Sequence, residues 1–171
     1  MSRSMTHTVT IRQAVSADTA SLDRLFQRSY MTLMKGHYPP SSVVCSLPIV
    51  ARAQPHLIRS GTFSVAELDG VATGAGGWST EPPGSRPGTR GTGYLRHVAV
   101  DPAHARNGVG RSLVENAARQ AGESGIKQLI AQSTLNAVPF FRSLGFVPIG
   151  DTALELPGGV RFACIAMLMR L

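Results

Sequence analysis

A glycine-rich turn at residues 105–111 carries the clearest chemistry in this sequence. It reads ARNGVGR and leads into a segment with the apolar spacing of an amphipathic helix. The start of a helix presents free backbone N–H groups and a partial positive charge, and Gly108 and Gly110 let an anion approach those groups closely. Arg106 and Arg111 flank the turn and can add charge-assisted hydrogen bonds. These residues predict a site for the phosphates of a cofactor.

Other glycine-rich phosphate sites do not fit this turn. A Walker A loop needs a Gly-Lys-Ser/Thr sequence after a longer glycine loop, and that sequence is absent here. A dinucleotide fingerprint needs a third glycine at position 113, where this chain has Leu113. The turn therefore indicates an anion site of another kind.

Apolar periodicity predicts the elements that position this turn within a single domain, residues 1–171. Strands are expected at residues 9–15, 62–68, 71–78, 94–100, 127–132, 146–149 and 160–171. Helices are expected after an N-cap at Ser16, from residue 41 or 42 to residue 52, from Gly108 onward, and at residues 139–144. Asp69-Gly70 predicts a hairpin turn, and the proline- and glycine-rich residues 79–93 predict a surface loop.

Composition limits the classes of function. Residues 1–8 lack the apolar core of a signal peptide and no apolar run reaches membrane-spanning length, so we expect a cytoplasmic protein without membrane contact. Cys45 and Cys164 show no metal-ligand spacing, and no metal is predicted. The net charge of +7 comes from arginines scattered without a nucleic-acid motif, so nucleic acid is not the favoured partner.

Three segments together resemble the Gcn5-related N-acetyltransferase (GNAT) family. ARNGVGR resembles its pyrophosphate-binding signature, LRHVAVDP (residues 95–102) its fourth strand, and LNAVPFFRSLGF (residues 135–146) its last core motif. The order of elements agrees over nearly the whole chain. The resemblance implies an α/β (α+β) fold with three layers, αβα, in which a mixed, mostly antiparallel sheet contains a splayed parallel pair of central strands.

The resemblance also implies acetyl-CoA as co-substrate and direct transfer of its acetyl group to a primary amine of a small molecule or peptide. The implied cofactor contacts are Val98, Ala99, Val100, Arg106, Asn107, Gly108, Val109, Gly110, Arg111, Asn136, Phe140 and Arg142. The backbone N–H of Val98 and the hydroxyl of Tyr94 are the implied catalytic groups. The predicted acceptor contacts are His37, Tyr38, Trp78 and Arg96.

Two departures from the family pattern affect these expectations. Ala105 stands where the signature begins with Arg or Gln, a change that backbone donors tolerate. Phe141 stands where the family often has a tyrosine that protonates the leaving thiolate, so Tyr94 becomes the candidate acid. His97 is expected on the opposite face of the strand from Tyr94 and Arg96, because side chains alternate.

Several alternatives remain at this stage. Glu67 and Glu81 are the remaining acids near the expected cleft. A non-catalytic acyl-CoA-binding module is the main rival function, because Phe141 has no proton to give, and an RNA-associated protein is a second rival suggested by charge alone. The apolar last strand, residues 160–171, could also serve a homodimer.

Overall fold

The computed structural model describes residues 8–84 and 86–171, and residues 1–7, on which the signal-peptide expectation largely rests, lie outside them. Within these ranges the strands form one sheet in the order β1-β2-β3-β4-β5-β7-β6. The strands are β1 (Val9–Gln13), β2 (Phe63–Leu68), β3 (Val71–Ser79), β4 (Thr92–Val100), β5 (Gln128–Ser133), β6 (Val147–Leu156) and β7 (Val160–Arg170).

Helices cover both faces of this sheet. They are α1 (Thr19–Leu33), α2 (Pro40–Val50), α3 (Pro55–Ile58), α4 (Val109–Glu123) and α5 (Val138–Ser143). Val65 of β2 packs in the cluster that contains α1, and the adjacent Ala66 packs in the cluster that contains α4. Because neighbouring strand residues point to opposite faces, the two helices lie on opposite sides of the sheet. This confirms the three-layer fold. None of the helices in the described ranges is long and apolar enough to cross a membrane.

Local signals located most of these elements. The hairpin between β2 and β3 turns at Asp69-Gly70, where both residues have positive φ, as the sequence predicts. Helix α2 begins at Pro40, one or two residues before its expected start at residue 41 or 42, because proline suits the first turn of a helix. The expectation for Ser16 was wrong: it begins a short 3₁₀ turn, and Asp18 accepts a hydrogen bond from the Val15 N–H at 2.8 Å.

The C-terminal hairpin differs most from expectation. Strand β6 extends to Leu156, far beyond the expected end at residue 149, and helix α3 was not expected at all. Strand β7 lies inside the sheet and pairs with both β5 and β6. Its backbone is therefore engaged on both sides, and the homodimer expected from its apolar side chains stays a prediction.

The central strands β4 and β5 separate after Tyr94, well before the glycine-rich turn. β4 and β5 run parallel and pair only at Thr92↔Gln128, Gly93↔Leu129 and Tyr94↔Ile130. On the other side of β4, Gly77 pairs with Arg96 and Ala75 pairs with Ala99, so two residues of β4 lie opposite Gly76. This β-bulge includes His97, whose φ is +50°. The splayed pair predicted from the family resemblance is confirmed, and the bulge bends β4 just past the point of separation.

Candidate functional site

One cavity, the turn cavity, lies beside the glycine-rich turn and measures about 740 Å³. Its walls come from the second half of β4, the turn itself, α1, and the segment that leads into α5. It brings together ten of the predicted cofactor contacts: Val98, Ala99, Val100, Arg106, Gly108, Val109, Gly110, Arg111, Asn136 and Phe140. Asn107 and Arg142 are not among its lining residues.

The backbone of the turn has a geometry that favours the binding of an anion. Arg106 and Gly108 both adopt left-handed conformations, with φ of +70° and +77°, before α4 begins at Val109. Left-handed residues in such a turn can direct neighbouring N–H groups into one concavity, and the helix start adds its partial positive charge. A Cβ added at Gly108 would meet no atom within 4 Å, so the approach is open.

The far end of the turn cavity is shaped for an extended, amide-bearing chain. A Cβ added at Gly110 would lie 3.1 Å from Cζ of Phe140, so the glycine lets this ring close against the start of the helix. The Oδ1 atom of Asn136 is buried and accepts no hydrogen bond from the described residues. Because a buried acceptor without a partner is costly, this atom suits a ligand N–H group. These features fit the pantetheine and pyrophosphate of a CoA ester.

A second cavity, the loop cavity, measures about 460 Å³ and lies at the other side of the opening between β4 and β5. Its walls include Leu95, Arg96 and His97 of β4, the loop around Pro82, α2, and the β6–β7 hairpin. Tyr30 and Thr134 line both cavities. The two cavities therefore adjoin at these two residues.

Arg96 is the predicted acceptor contact that lines the loop cavity. Its side chain donates to Oγ of Ser79 at 3.0 Å, to the carbonyl of Glu81 at 3.2 Å and to Oε1 of Gln54 at 3.3 Å. Only 8 % of the residue is exposed. Burial lowers the pKa of Arg96, with a smaller opposing effect from the Glu81 carboxylate. The guanidinium is thus held rigidly in the wall of the cavity.

His97 lies on the same cavity as Arg96, so its expected position on the opposite face was wrong. The bulge at His97 interrupts the alternation of side chains on which that expectation depended. Because Arg96 can only donate, Oε1 of Gln54 accepts from it, and Nε2 of Gln54 then donates to Nε2 of His97 at 3.3 Å. The proton of the neutral ring is therefore on Nδ1.

The charge state of His97 follows from its surroundings. Burial, and then the nearby Arg96 and His56, lower the pKa of His97 from 6.5 to about 4. The rings of His97 and Phe26 pack edge to face, with their centroids 5.0 Å apart. His97 is therefore neutral at neutral pH and is a weak base there.

Tyr30 was expected only in the buried stripe of α1, and its place in the site had no local sequence signal. It lines both cavities, and no described residue accepts or donates a hydrogen bond at its hydroxyl. Burial raises the pKa of Tyr30 to about 12, with a smaller contribution from Cys164. The phenol therefore stays protonated at neutral pH and has a proton to donate.

Tyr94 lies outside both cavities. It is buried, and its hydroxyl oxygen accepts a hydrogen bond from the Thr89 backbone N–H at 3.4 Å. It precedes the separation of the strands, since it still pairs with Ile130. Alternation places Tyr94 and Arg96 on one face of β4, but the loop cavity opens only past residue 94. The hydroxyl of Tyr94 therefore does not reach either cavity, and the prediction that Tyr94 is the acid is corrected.

Three predicted acceptor contacts also lie away from the loop cavity. The hydroxyl of Tyr38 donates to the Ala163 carbonyl at 2.7 Å and accepts from the Leu135 N–H at 2.9 Å, and its ring stacks on Phe162. Trp78 is 5 % exposed within the core, and His37 is exposed without lining either cavity. Tyr38 thus joins the region before α2 to β7 and to the segment leading into α5, which is a structural task.

The three remaining residues from the sequence analysis lie in different surroundings. Phe141 lines neither cavity, and its ring packs edge-on near Phe140 and Phe146 at centroid distances of 5.1 and 5.3 Å. Glu67 is bound to Arg12 at 2.7 Å on β1, whereas Glu81 lines the loop cavity. Of these two acids, Glu81 is the one that a bound acceptor can reach.

Comparisons with known proteins agree with this geometry. The sequence profile of the acetyltransferase (GNAT) family matches residues 22–146. A search among curated proteins gives no match. Among solved structures, a GCN5-related N-acetyltransferase from Rhodopseudomonas palustris is similar, with a TM-score of 0.76, 22 % identity and 96 % of each chain covered.

Two similar structures contain the cofactor. The PaiA N-acetyltransferase of Thermoplasma acidophilum in complex with coenzyme A has a TM-score of 0.68 and 15 % identity, over 96 % of this chain and 99 % of that one. YncA of Salmonella typhimurium, described as a putative acetyltransferase with its cofactor acetyl-CoA, has a TM-score of 0.64 and 23 % identity, over 96 % and 94 %. At these identities the likeness concerns the fold.

Proposed function

Because the chain belongs to the GNAT acetyltransferase family, whose members use acetyl-CoA, we propose that it transfers the acetyl group to a primary amine bound in the loop cavity. The observation that carries this proposal is the meeting of the two cavities at Tyr30 and Thr134. One cavity has an anion site and an extended groove, and the other has buried polar groups. A thioester reaching through the first cavity would meet an amine held in the second.

The turn cavity supplies the cofactor contacts. The N–H groups around Gly108 would hold the pyrophosphate, and the backbone of β4 from Val98 to Val100 would pair with the peptide-like amides of pantetheine. Asn136 would accept one of the amide N–H groups at its unpartnered Oδ1. When bound, acetyl-CoA supplies an acetyl group activated as a thioester.

Acetyl transfer forms a bond from the amine nitrogen to the acetyl carbon and breaks the bond from that carbon to sulfur. The thiolate must gain a proton, and the nitrogen must lose one. We propose that the Tyr30 hydroxyl protonates the sulfur, since it lies where the cavities meet and stays protonated. The Val98 N–H would stabilise negative charge on the carbonyl oxygen, and the amine proton would leave through the loop cavity, where Glu81 supplies a carboxylate.

Calorimetric titration of acetyl-CoA and CoA, with ATP as comparison, tests the cofactor. We expect saturable binding of both CoA species and none of ATP. A folded sample that binds neither CoA species contradicts the proposal. CoA release in the presence of a panel of primary amines then tests catalysis, and binding without release for every amine would instead support the acyl-CoA-binding module.

A further inference from the structure

The charge of Arg96 is buried, and no carboxylate of the described residues forms an ion pair with it. The guanidinium uses three N–H groups, all of them on uncharged acceptors, at Ser79, Glu81 and Gln54. Within the described ranges no carboxylate lies within 4 Å of it, and its Nε–H makes no hydrogen bond. Burying a charge without a counterion costs several kcal/mol as an order of magnitude. The Arg96 guanidinium in the wall of the loop cavity therefore lacks a counterion among the described residues.

The other charged groups of the loop cavity do not balance Arg96. Glu155 is bound to Nε of Arg161 at 2.9 Å. Glu81 is exposed, and its attraction does not offset the burial that lowers the pKa of Arg96. Arg86 adds a second guanidinium to the same lining. The region around Arg96 thus attracts an anion.

A hydrogen-bond acceptor lies across the opening from Arg96. Tyr94 of β4 pairs with Ile130 of β5, and Arg96 and Gln132 each follow two residues later on the two separated strands. Gln132 lines the loop cavity, and its Oε1 atom is buried with no hydrogen-bond partner among the described residues. A ligand N–H group would satisfy this oxygen.

Arg96 and Gln132 together match a molecule with a carboxylate and an amine close to each other. We propose that the acceptor is a small primary amine that carries a carboxylate, of the size of an amino acid, with the carboxylate on Arg96 and the amine N–H on Gln132. This inference rests on the proposed function and names the substrate class of that site. The cavity of about 460 Å³ is within the range of small-molecule sites. Its lining also includes apolar side chains suited to the rest of such a molecule: Val50, Leu95, Leu154, Leu156 and Phe162.

Matched acids and amides test the substrate class. The probes are the protein amino acids and their α-amides, which keep the amine and the size but lose the negative charge. For the best acid we expect kcat/KM to exceed that of its amide by about tenfold or more, the worth of one charge-assisted hydrogen bond. Turnover with no acid, or amides acetylated as fast as their acids, overturns the inference. Binding of acetyl-CoA, measured separately, tests the proposed function itself.

Variants of Arg96 separate binding from a purely structural role. In Arg96→Gln we expect the KM for the acid to rise about tenfold or more, while the amide and acetyl-CoA are affected less than about threefold. Arg96→Lys should recover part of the preference for the acid. Arg90→Gln, an exposed arginine of the neighbouring loop that lines neither cavity, is the charge-matched control.

Equal losses for acid and amide would mean that Arg96 only holds Ser79 and Glu81 in place, and the inference would fail. Melting temperature and the Kd for acetyl-CoA show whether each variant is folded. If the Arg96 variants do not fold, the comparison of acids with amides in the unchanged protein decides the question by itself.

Discussion

The two cavities are built in different ways although they share a wall. The turn cavity depends on backbone geometry: left-handed φ at Arg106 and Gly108, the first turn of α4, and a glycine at 110 that lets Phe140 approach. The loop cavity depends on side chains brought together from distant parts of the chain, such as Gln54, Arg96 and Gln132. A site built from backbone groups suits one unchanging ligand such as a cofactor. A site built from side chains can be altered by substitution to suit a different acceptor.

This difference has an energetic consequence. In the turn cavity the hydrogen-bond donors are the free backbone N–H groups at the start of α4. A single change of backbone conformation therefore removes several of these donors together. In the loop cavity each side chain would contribute one or two hydrogen bonds to a bound acceptor, each of about 1–3 kcal/mol when a charge is involved. We therefore expect the largest effects on binding from the turn and graded effects from the loop cavity.

Gly108→Val is expected to have the largest effect. A branched Cβ would enter the open concavity, and the left-handed backbone at φ +77° would become strained, by about 1–2 kcal/mol. Loss of the N–H contacts should weaken acetyl-CoA binding by about 100-fold or more, measured by calorimetry.

Gly125→Val is the matched control for Gly108→Val. Gly125 follows the other end of α4, has φ +83°, and a Cβ there also meets no atom within 4 Å. Both variants should lose similar stability, but only Gly108→Val should lose binding. Equal affinity in the two variants would place the pyrophosphate elsewhere.

Tyr30→Phe tests the point where the cavities meet. Removal of the hydroxyl leaves both cavities formed but removes the proposed acid, so kcat should fall by about 100-fold while the Kd for acetyl-CoA changes little. Because the pKa of Tyr30 is raised to about 12, the unchanged enzyme should show no loss of activity from this group up to about pH 10.

Tyr94→Phe is the control for Tyr30→Phe, since its hydroxyl contacts only the Thr89 N–H among the described residues and lies outside both cavities. A small effect at Tyr94 with a large one at Tyr30 supports the assignment. The opposite order would restore Tyr94 as the acid and exclude Tyr30.

The sequence predicts the turn cavity better than the loop cavity for a physical reason. Helix starts, glycine positions and strand alternation are local, and they located the turn at residues 105–111, whereas the parallel pair of β4 and β5 was predicted from the family resemblance. The loop cavity depends on the bulge at His97 and on a β6 strand that continues to Leu156. These features arise from pairing with other strands, which local periodicity does not report.

The same contrast explains the misplaced acceptor contacts. Tyr38 and Trp78 were predicted as acceptor contacts, but each is buried in the core. Tyr30 was taken as a core residue by its helical spacing, yet it lines both cavities. Residue type and spacing indicate which face of an element a side chain occupies, but not whether that face is covered by protein or by a cavity.

The smallest expected effect concerns His97 and the stability of the loop cavity. Its pKa is lowered from 6.5 to about 4 in the folded protein, so the unfolded chain binds a proton first as the pH falls. The contribution of His97 to the free energy of unfolding is therefore fully present above pH 6.5 and decreases between pH 6.5 and 4, by about 1–2 kcal/mol for a half-buried ring.

Chemical denaturation of the unchanged protein and of His97→Asn over this pH range measures the contribution. The slope should be shallower in His97→Asn than in the unchanged protein. Identical slopes in the two proteins would mean that His97 is protonated as readily in the folded state as in the unfolded state, and the assignment of a neutral ring bound to Gln54 would have to be abandoned.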